Sequence, residues 1–298
     1  MIERRQFLYG VLAATSGYLS HESSAFAQAH NDWSEKFARG IASLEKERGG
    51  RLGVAVIDTA SGRSAAFRGD ERFPMCSTFK TLAVAAVLAR VDDGKEQLDR
   101  RIRFDAHDVV VNSAITKDRA GGDGMSLAEI CEAAMVVSDN TAGNLLLAVL
   151  GGPAGLTAYA RSLGDNVTRL DRNEPTLNEA APDDPRDTTS PLAMLSNLRT
   201  LVTGKVLSPA STEHFVGWLV GNKTGDTRLR AGFPRDWRVG DKTGSGDSGT
   251  TNDIGAVWPS PNRPPLFVSV YLTGSSPDGA HRNATLAAVG KAIVDSLA

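Results

Sequence analysis

The sequence lacks the features that mark membrane, metal-dependent and nucleic-acid-binding proteins. Thirty-three basic and 35 acidic side chains among 298 residues give a net charge of −2, without a basic stripe of the kind that binds nucleic acid. No apolar run approaches the roughly 20 residues that span a bilayer, so we expect no membrane association once a targeting segment is removed. The five histidines are scattered, and neither C-x-x-C nor H-E-x-x-H occurs. We therefore expect no metal and no other cofactor.

Cysteine is also scarce, and the two that occur are Cys76 and Cys131. Cys131 lies among apolar residues at helical spacing, and Cys76 immediately precedes a candidate catalytic serine. Both positions are typical of small buried hydrophobic side chains. An oxidising compartment would permit a disulfide between them, so this bond is the alternative to two free thiols.

The first 27 residues have the pattern of an export signal. Two arginines precede a weakly apolar segment that ends near residue 19, and a small-x-small cleavage site follows: Arg4-Arg5-Gln6-Phe7-Leu8 and Ala25-Phe26-Ala27. The pattern resembles a twin-arginine signal, and an ordinary secretory signal is the alternative. Either one predicts export to the periplasm and a mature chain that begins near Gln28.

The chain, at 298 residues of which 41% are hydrophobic, is long and apolar enough to bury a sizeable core. Hydrophobic periodicity and turn residues predict its elements. They are a helix over 32–48, a hairpin over 51–68, a helix from about 77, strands over 237–243, 253–258 and 266–273, and a helix over 283–297.

Strands at both ends of the chain, with helices between them, predict an α/β (α+β) fold. An antiparallel sheet would be built from both termini and flanked by helices, with an all-helical domain inserted between its two halves. We expect residues 28–68 and 220–298 to form the α/β sheet domain and residues 69–219 the all-helical domain. A ligand cleft is expected where the two meet.

A hydroxyl and an amine lie three residues apart in Ser77-x-x-Lys80, at the start of a run with apolar residues at helical spacing. On a helix the two side chains share one side. An amine that burial partly deprotonates can then take the proton of a hydroxyl near the helix N-terminus. Because Ser43-x-x-Lys46 has the same spacing on a charged helix face, this motif alone is weak evidence for a catalytic serine.

Two further motifs bear on that serine. Ser138-Asp139-Asn140 places a hydroxyl and an amide at the end of an apolar helical pattern, although Asp139 also suits a simple capped helix junction. The segment Lys242-Thr243-Gly244-Ser245-Gly246 ends an alternating strand, and its glycines would let a substrate lie against the strand backbone. The tripeptide recurs as Lys223-Thr224-Gly225 in a polar turn, so it proves nothing by itself.

In this order and context, the three motifs resemble those of the serine penicillin-recognising enzymes. Residues 171–189 carry several charges and three prolines, as surface loops do, and they are similar to the Ω loop of class A β-lactamases. The resemblance covers the mature chain from its first helix to its last. It implies a serine β-lactamase that acts on small-molecule β-lactam antibiotics, and we expect a monomer.

The resemblance also implies catalytic roles. Ser77 would attack the lactam carbonyl, with Lys80 and Ser138 as proton carriers. Glu174 and its partner Asn178 would hold and activate the water that hydrolyses the acyl-enzyme. Whether Lys80 or Glu174 takes the proton of Ser77 during acylation stays open.

Binding roles follow in the same way. The backbone N–H groups of Ser77 and Ser245 would form the oxyanion hole. The substrate itself would be held by the following residues: Asn140, Lys242, Thr243, Gly244, Ser245 and Asp247, with Arg228 or Arg282 as the supporting cation. Arg172 and Asp187 would tie the neck of the Ω-like loop 171–189.

Two details of the sequence resemble one branch of the family, and one residue departs from the family's pattern. Cys76 and the segment Ser245-Gly246-Asp247 look like the cefotaxime-hydrolysing branch and its environmental relatives. Members that join this cysteine to a second one beside the K-T-G motif are carbapenem hydrolysers. Gly246 occupies that second position here, which weakens a carbapenemase interpretation. Asn112 lies about where many relatives carry an aromatic residue at the cleft mouth.

Three alternative functions share part of this pattern. A cell-wall D,D-peptidase would have the first three motifs without needing Glu174 and Asn178. A β-lactam-sensing module would be acylated and stop, and it would need a membrane segment or a fused partner. A generic esterase of the same fold would typically lack the Ω-like loop.

Overall fold

The computed structural model describes residues 16–276 and 278–297, with side chains described from residue 32 onward. The helices are α1 Ser16–Arg48, α2 Phe79–Asp92, α3 Leu127–Val136, α4 Asn140–Leu150, α5 Pro153–Ser162, α6 Pro191–Thr203, α7 Pro209–Val220, α8 Leu229–Gly232 and α9 Gly279–Leu297. The strands are β1 Arg51–Asp58, β2 Ser64–Phe67, β3 Phe73–Pro74, β4 Arg101–Ile102, β5 Met125–Ser126, β6 Thr188–Thr189, β7 Arg238–Gly246, β8 Thr250–Trp258 and β9 Leu266–Thr273.

Strands from both ends of the chain form one antiparallel sheet. Its order is β2-β1-β9-β8-β7, so the hairpin β1-β2 pairs through β1 with the last strand, β9. In this register Val54 lies opposite Val270, and Lys242 lies opposite Ile254. The predicted α/β fold class, with a sheet assembled from both termini and helices inserted between them, is confirmed. β7 is an edge strand, which leaves one of its sides free to face the helices.

The two faces of the sheet bury different cores. Leu52, Val54 and Val56 alternate along β1 and pack with α1 and α9, as their period-two spacing predicts. Ala55 points to the other face and belongs to a larger core that continues into α2, α3, α4, α6 and α7. The sheet is therefore covered by the terminal helices on one side and by the inserted helices on the other.

α2 is the central helix of the inserted part. Every residue from Phe79 to Leu88 is buried, because α3, α4, α5 and α7 all pack around it. A helix that is apolar all round must be enclosed in this way. The start of α2, where Ser77 lies, is thus held rigidly against the sheet and the surrounding helices.

Several predicted boundaries differ from the structure. The first helix already includes Ser16, the first described residue, whereas it was expected to start near residue 32, and the last helix begins at Gly279 rather than near 283. The strand predicted over 237–243 extends as far as Gly246. The strand predicted over 253–258 already starts at Thr250. Short two-residue strands that were not predicted also occur: β3, just before Ser77, pairs with β6, and β4 pairs with β5.

The predicted export signal lies at the edge of the structure. Residues 1–15 of it are outside the described residues, and only the backbone is described for 16–27. Within the described ranges, no single helix is long and apolar enough to cross a membrane. α4 and α5 meet that criterion only as a pair, and they meet at an angle of 70°.

Candidate active site

Ser77 lies at the point where the chain turns into α2. It belongs to the 3-10 turn Cys76–Thr78, which leads directly into the helix. Cys76 has a φ of 46°, a left-handed conformation that is costly for a residue with a side chain and persists only where the surroundings enforce it. Because Cys76 is fully buried, packing holds this turn and with it the serine.

The edge strand β7 runs directly beside that turn, and two glycines allow the close approach. A Cβ on Gly244 would lie 2.7 Å from the carbonyl oxygen of Met75. A Cβ on Gly246 would lie 2.7 Å from both Cys76 Sγ and the carbonyl oxygen of Asn178. The open sides of these glycines accommodate the serine turn and the neighbouring loop. That they also let a substrate lie against the strand backbone stays a prediction.

Lys80 is the most highly connected group of the site. Its buried Nζ lies within 3.5 Å of five oxygens, although an ammonium has only three protons to donate. These contacts are Ser77 Oγ at 2.9 Å, the Ser138 carbonyl at 2.8 Å, Ser138 Oγ at 3.5 Å, Asn140 Oδ1 at 2.8 Å and Glu174 Oε1 at 3.0 Å. Burial lowers the pKa of Lys80, and the Glu174 carboxylate opposes this shift.

Glu174 contacts both the serine and Lys80. Its Oε1 accepts a hydrogen bond from Ser77 Oγ at 3.2 Å, and its Oε2 accepts one from Asn178 Nδ2. The backbone of Glu174 is fixed by Asn144, whose side chain accepts from its N–H at 2.8 Å and donates to its carbonyl at 3.0 Å. Asn178 Oδ1 is buried and accepts no hydrogen bond from the described residues.

The junction between α3 and α4 supplies Ser138 and Asn140. Ser138 has a φ of 59°, which turns its hydroxyl toward both lysines of the site. Asp139 caps α4 and is fully buried, accepting hydrogen bonds from Ala142 and from the backbone of Ile115. The structural interpretation of Asp139 is therefore confirmed, while the side chains of its neighbours on either side contact Lys80.

Lys242 approaches Ser138 from β7. Its buried Nζ donates to Ser138 Oγ at 2.9 Å and to the carbonyl of Thr243 at 2.9 Å. Burial lowers the pKa of Lys242 well below its usual value, and the nearby positive charges of Lys80 and Arg228 act in the same direction. Ser138 Oγ is thus placed between two lysines whose charged forms are both disfavoured.

The two arginines proposed from sequence lie in different positions. Arg228 donates to Ser245 Oγ at 2.7 Å and to the carbonyl of Gly244 at 2.8 Å, so it contacts the cleft strand directly. Arg282 donates instead to Thr251 Oγ1 at 2.9 Å, and Thr251 is the cross-strand partner of Ser245. Asp247 is exposed at the end of β7, and its N–H donates to the Asn178 carbonyl at 2.9 Å.

Arg172 and Asp187 meet at the neck of the loop 171–189. Arg172 Nε donates to Asp187 Oδ2 at 2.6 Å. Asp187 Oδ1 also accepts from the backbone N–H groups of Asp171 and Arg172 at 2.8 and 2.9 Å. The loop is therefore closed by a buried carboxylate that three donors hold.

The repeated motifs are separated by the structure. Ser43 and Lys46 are exposed on α1, and the Ser43 hydroxyl donates to the carbonyl of Arg39. The second K-T-G, at 223–225, lies in a turn without a strand, yet Thr224 Oγ1 hydrogen-bonds to Thr243 Oγ1 and to Asn222 Oδ1. Sequence reasoning missed Thr224, Asn222 and Asn144, because their role depends on contacts with distant segments.

Both cysteines are free and buried. Burial raises the pKa of each thiol, since a thiolate loses its hydration inside the protein. The structure also places Gly246 next to the Cys76 sulfur, so the position at which a second cysteine could pair is occupied by glycine.

A cleft of about 610 Å³ opens beside these groups. Its walls come from the loop after Glu174 and from the end of β7, with Asn112 at its rim: Asn112, Pro175, Thr176, Asn178, Glu179, Ser245, Gly246 and Asp247. Among the residues that the structure describes, no group of three or more histidine, cysteine, aspartate or glutamate side chains could hold a metal ion. The ionisable and nucleophilic groups that the site brings together are a serine, two lysines and a carboxylate.

Comparison with known proteins gives a consistent result. The model of the β-lactamase enzyme family matches residues 36–297. β-Lactamase CTX-M-8 of Citrobacter amalonaticus is 49% identical over 270 residues, which cover 91% of this chain and 90% of that protein. β-Lactamase OXY-2 of Klebsiella oxytoca is 49% identical over 257 residues, which cover 86% of this chain and 88% of that protein.

Solved structures agree. An ancestral class A β-lactamase (GNCA) is 64% identical with a TM-score of 0.85, covering 87% of this chain and 99% of that one. The putative class A β-lactamase PenP of Rhodopseudomonas palustris is 57% identical with a TM-score of 0.85 and the same coverage. The resemblance predicted from the motifs is confirmed, and the chain belongs to the class A β-lactamase family.

Proposed function

We propose that this protein hydrolyses the β-lactam amide bond of penicillins and cephalosporins through an acyl-enzyme formed on Ser77. One observation carries the proposal: Ser77 Oγ contacts both Lys80 Nζ, at 2.9 Å, and Glu174 Oε1, at 3.2 Å. A serine hydroxyl is a weak nucleophile until a base within hydrogen-bond reach takes its proton. Here two candidate bases reach the same oxygen.

Acylation starts with attack of Ser77 Oγ on the lactam carbonyl carbon. The proton of Ser77 passes to the pair formed by Lys80 and Glu174, whose Nζ and Oε1 are 3.0 Å apart. The backbone N–H groups of Ser77 and Ser245 hold the resulting oxyanion. Loss of one such donor costs about 10²–10³ in rate, so the close packing of β7 against the serine turn matters for the chemistry.

Ring opening requires a proton on the departing lactam nitrogen. Ser138 Oγ is the group suited to this transfer, because it lies 2.9 Å from Lys242 Nζ and 3.5 Å from Lys80 Nζ. As the C–N bond breaks, Ser138 gives its proton to the nitrogen and regains one from a lysine. The lowered lysine pKa values favour such exchange, since neither amine holds its proton strongly.

Deacylation needs a water molecule and a base. Glu174 takes a proton from the water as the water oxygen attacks the ester carbonyl. As the bond between the carbonyl carbon and Ser77 Oγ breaks, the serine oxygen takes up a proton from the Lys80–Glu174 pair and the opened product is released. Asn178 Oδ1, which has no hydrogen-bond donor among the described residues, is available to orient that water. This step distinguishes a hydrolase from a D,D-peptidase or a sensor, neither of which needs the Glu174–Asn178 pair.

Substrate anchoring is assigned to the edge strand and to the α3–α4 junction. Lys242, Thr243 and Ser245 bind the substrate carboxylate, and Gly244 keeps the strand close to the serine. Arg228 is the supporting cation, because it contacts Ser245 Oγ directly whereas Arg282 is bound one strand away, at Thr251. Asn140 binds the side-chain amide of the substrate, and the exposed Asp247 contacts groups at the cleft mouth.

Cellular location and organisation complete the proposal. We expect export by the twin-arginine route, cleavage after residue 27 and a monomeric periplasmic enzyme. Residues 28–68 and 220–298 form the sheet domain, and residues 69–219 form the helical domain with its loop 171–189. Arg172 and Asp187 keep that loop closed over the site.

The test is a steady-state assay of the purified protein, without added metal, on one penicillin and one cephalosporin. We expect many turnovers per enzyme molecule with both. One equivalent of product followed by arrest would contradict the proposal and indicate a sensor or a peptidase. An assay with a D-Ala-D-Ala peptide provides the comparison, and turnover of the peptide in preference to the β-lactams would favour the peptidase.

A further inference from the structure

The second K-T-G tripeptide, residues 223–225, is packed against the strand that carries the first, and the mechanism above does not use it. A Cβ on Gly225 would lie 1.7 Å from Asp241 Oδ2, so the turn approaches β7 as closely as only a glycine permits. Beside it, Thr224 Oγ1 hydrogen-bonds to Thr243 Oγ1. The turn therefore touches a hydroxyl that was assigned above to the substrate carboxylate.

Asn222 precedes this turn, and two neighbours fix the orientation of its side-chain amide. Its Nδ2 donates to Asp241 Oδ2 at 2.8 Å, and its Oδ1 accepts from the backbone N–H of Thr224 at 3.0 Å. Asp241 forms an ion pair with Arg230, and a carboxylate can only accept hydrogen bonds. A flipped amide would bring two acceptors together at Asp241 and two donors together at Thr224. The oxygen of the amide therefore faces Thr224.

The two threonine hydroxyl groups then have one consistent arrangement. Thr224 Oγ1 lies 2.8 Å from Asn222 Oδ1, which has no proton to give, so Thr224 donates its single hydroxyl proton there. The hydrogen bond between the two threonines must use the proton of Thr243 instead. Thr243 thus turns its only hydroxyl proton toward Thr224, and its oxygen has none left for another acceptor.

We propose that Thr224 is a positioning residue that sets the direction in which the Thr243 hydroxyl donates. In the free enzyme, donation runs from Thr243 to Thr224 and from Thr224 to Asn222. A substrate carboxylate only accepts, so Thr243 holds it only after both hydroxyl protons rotate. Thr224 then donates to Thr243, Thr243 donates to the carboxylate, and Asn222 keeps the N–H of Thr224.

The rotation leaves each hydroxyl group with a hydrogen bond to donate, and it requires no movement of other atoms. The new bond to the carboxylate is charge-assisted and therefore stronger than the one it replaces. A donor to the Thr243 oxygen strengthens it further, because hydrogen bonds in a chain polarise one another. The resting direction follows from the contacts alone, whereas the reversal on binding rests on the proposed function.

Neutron diffraction from crystals of the whole protein in D2O locates the hydroxyl deuterons directly. In the free enzyme we expect the Thr243 deuteron on the line to Thr224 Oγ1, and the Thr224 deuteron on the line to Asn222 Oδ1. A Thr243 deuteron that points away from Thr224 would overturn the assignment. This measurement needs no substrate, so it decides on Thr224 even if the proposed function is wrong.

Variants separate a directing role from a packing role. Thr224→Ser keeps the hydroxyl and should keep the Thr243 deuteron in place, whereas Thr224→Val should turn it away from residue 224. Thr227→Val, which changes an exposed threonine of the same segment, is the matched control and should leave it unmoved. A Thr243 deuteron in the same position in Thr224→Val as in the wild type would contradict the proposal.

The reversal is tested with Glu174→Ala crystals soaked in a penicillin. In the acylated protein we expect the Thr243 deuteron on the line to the substrate carboxylate and the Thr224 deuteron on the line to Thr243. Deuterons that keep their resting directions beside a bound carboxylate would overturn the reversal. A crystal in which Ser77 is not acylated would contradict the proposed function, and the result on the free enzyme would stand.

Discussion

Replacement of Glu174 by glutamine should separate the two halves of the reaction. The change keeps the size of the side chain and its contact with Asn178 but removes the negative charge of Glu174. In the wild type, Glu174 Oε1 lies 3.0 Å from Lys80 Nζ, and both side chains are fully buried. Two unit charges at that distance attract by about 5 kcal/mol at an effective dielectric constant of about 20. Without Glu174 the pKa of Lys80 falls further, because the carboxylate opposes the effect of burial.

The sign of this shift sets the expected kinetics. A lower pKa increases the neutral fraction of Lys80, which still lies 2.9 Å from Ser77 Oγ. Acylation should therefore continue, with kcat/KM within about tenfold of the wild type and its acidic limb moved to lower pH. Deacylation loses its general base and should slow by about 10²–10⁴. KM falls together with kcat, because the acyl-enzyme accumulates.

Stopped-flow measurements with a chromogenic cephalosporin check both parts. We expect a burst of about one product per enzyme, followed by a slow steady state. If kcat and kcat/KM fell by the same factor without a burst, Glu174 would be required for acylation as well, and neutral Lys80 alone would not suffice as the base. If kcat stayed at the wild-type value, Glu174 would not activate the water. Asp183→Asn, which removes a carboxylate from an exposed residue of the same loop outside the cleft, is the matched control and should leave both constants unchanged.

Three further predictions follow from the packing around the site. Gly246→Ala should destabilise the protein by about 1–3 kcal/mol in urea unfolding, because the added Cβ would lie 2.7 Å from the Cys76 sulfur; unchanged stability would show that β7 can move away. Arg172→Met removes the guanidinium that donates to Asp187 Oδ2 at 2.6 Å, so the free energy of unfolding should fall by about 3 kcal/mol. Arg186→Met, the control, removes an exposed arginine and should change that free energy little. The thiols of Cys76 and Cys131 should not react with a thiol reagent in the native protein, since burial raises the pKa of each. Both should react after denaturation without reductant, and a count of zero would indicate oxidation or a disulfide.

The fold could be predicted from sequence where local periodicity is strong. β9 was predicted with its observed bounds, Leu266–Thr273, because an apolar run bounded by turn residues is typical of a central strand. The start of β8 could not be predicted in this way, since Thr250, Thr251 and Asn252 are polar and yet buried. Their burial depends on neighbours from β7, β9 and the serine turn, which no local pattern contains.

The site was predictable only in part, for a similar reason. Spacing can place Ser77 and Lys80 on one side of a helix, but it cannot show that Asn144 fixes the backbone of Glu174 from another helix. The complete burial of Asp241 on β7 and of Asp253 on β8 is equally invisible to sequence reasoning, because an aspartate in a strand is ordinarily an exposed residue. Contacts between distant segments decide these roles, and the structure supplies them.

The central claim, that the β-lactam is hydrolysed through an ester of Ser77 whose breakdown depends on Glu174, is tested most directly by mass spectrometry. The Glu174→Ala variant is mixed with a penicillin, quenched, weighed intact and digested for peptide mapping. We predict one persistent adduct per molecule, with the mass of the whole penicillin, on the peptide that contains Ser77, and no adduct when Ser77→Ala is added to the variant. An adduct on another residue, or undiminished hydrolysis without Ser77, would contradict the account.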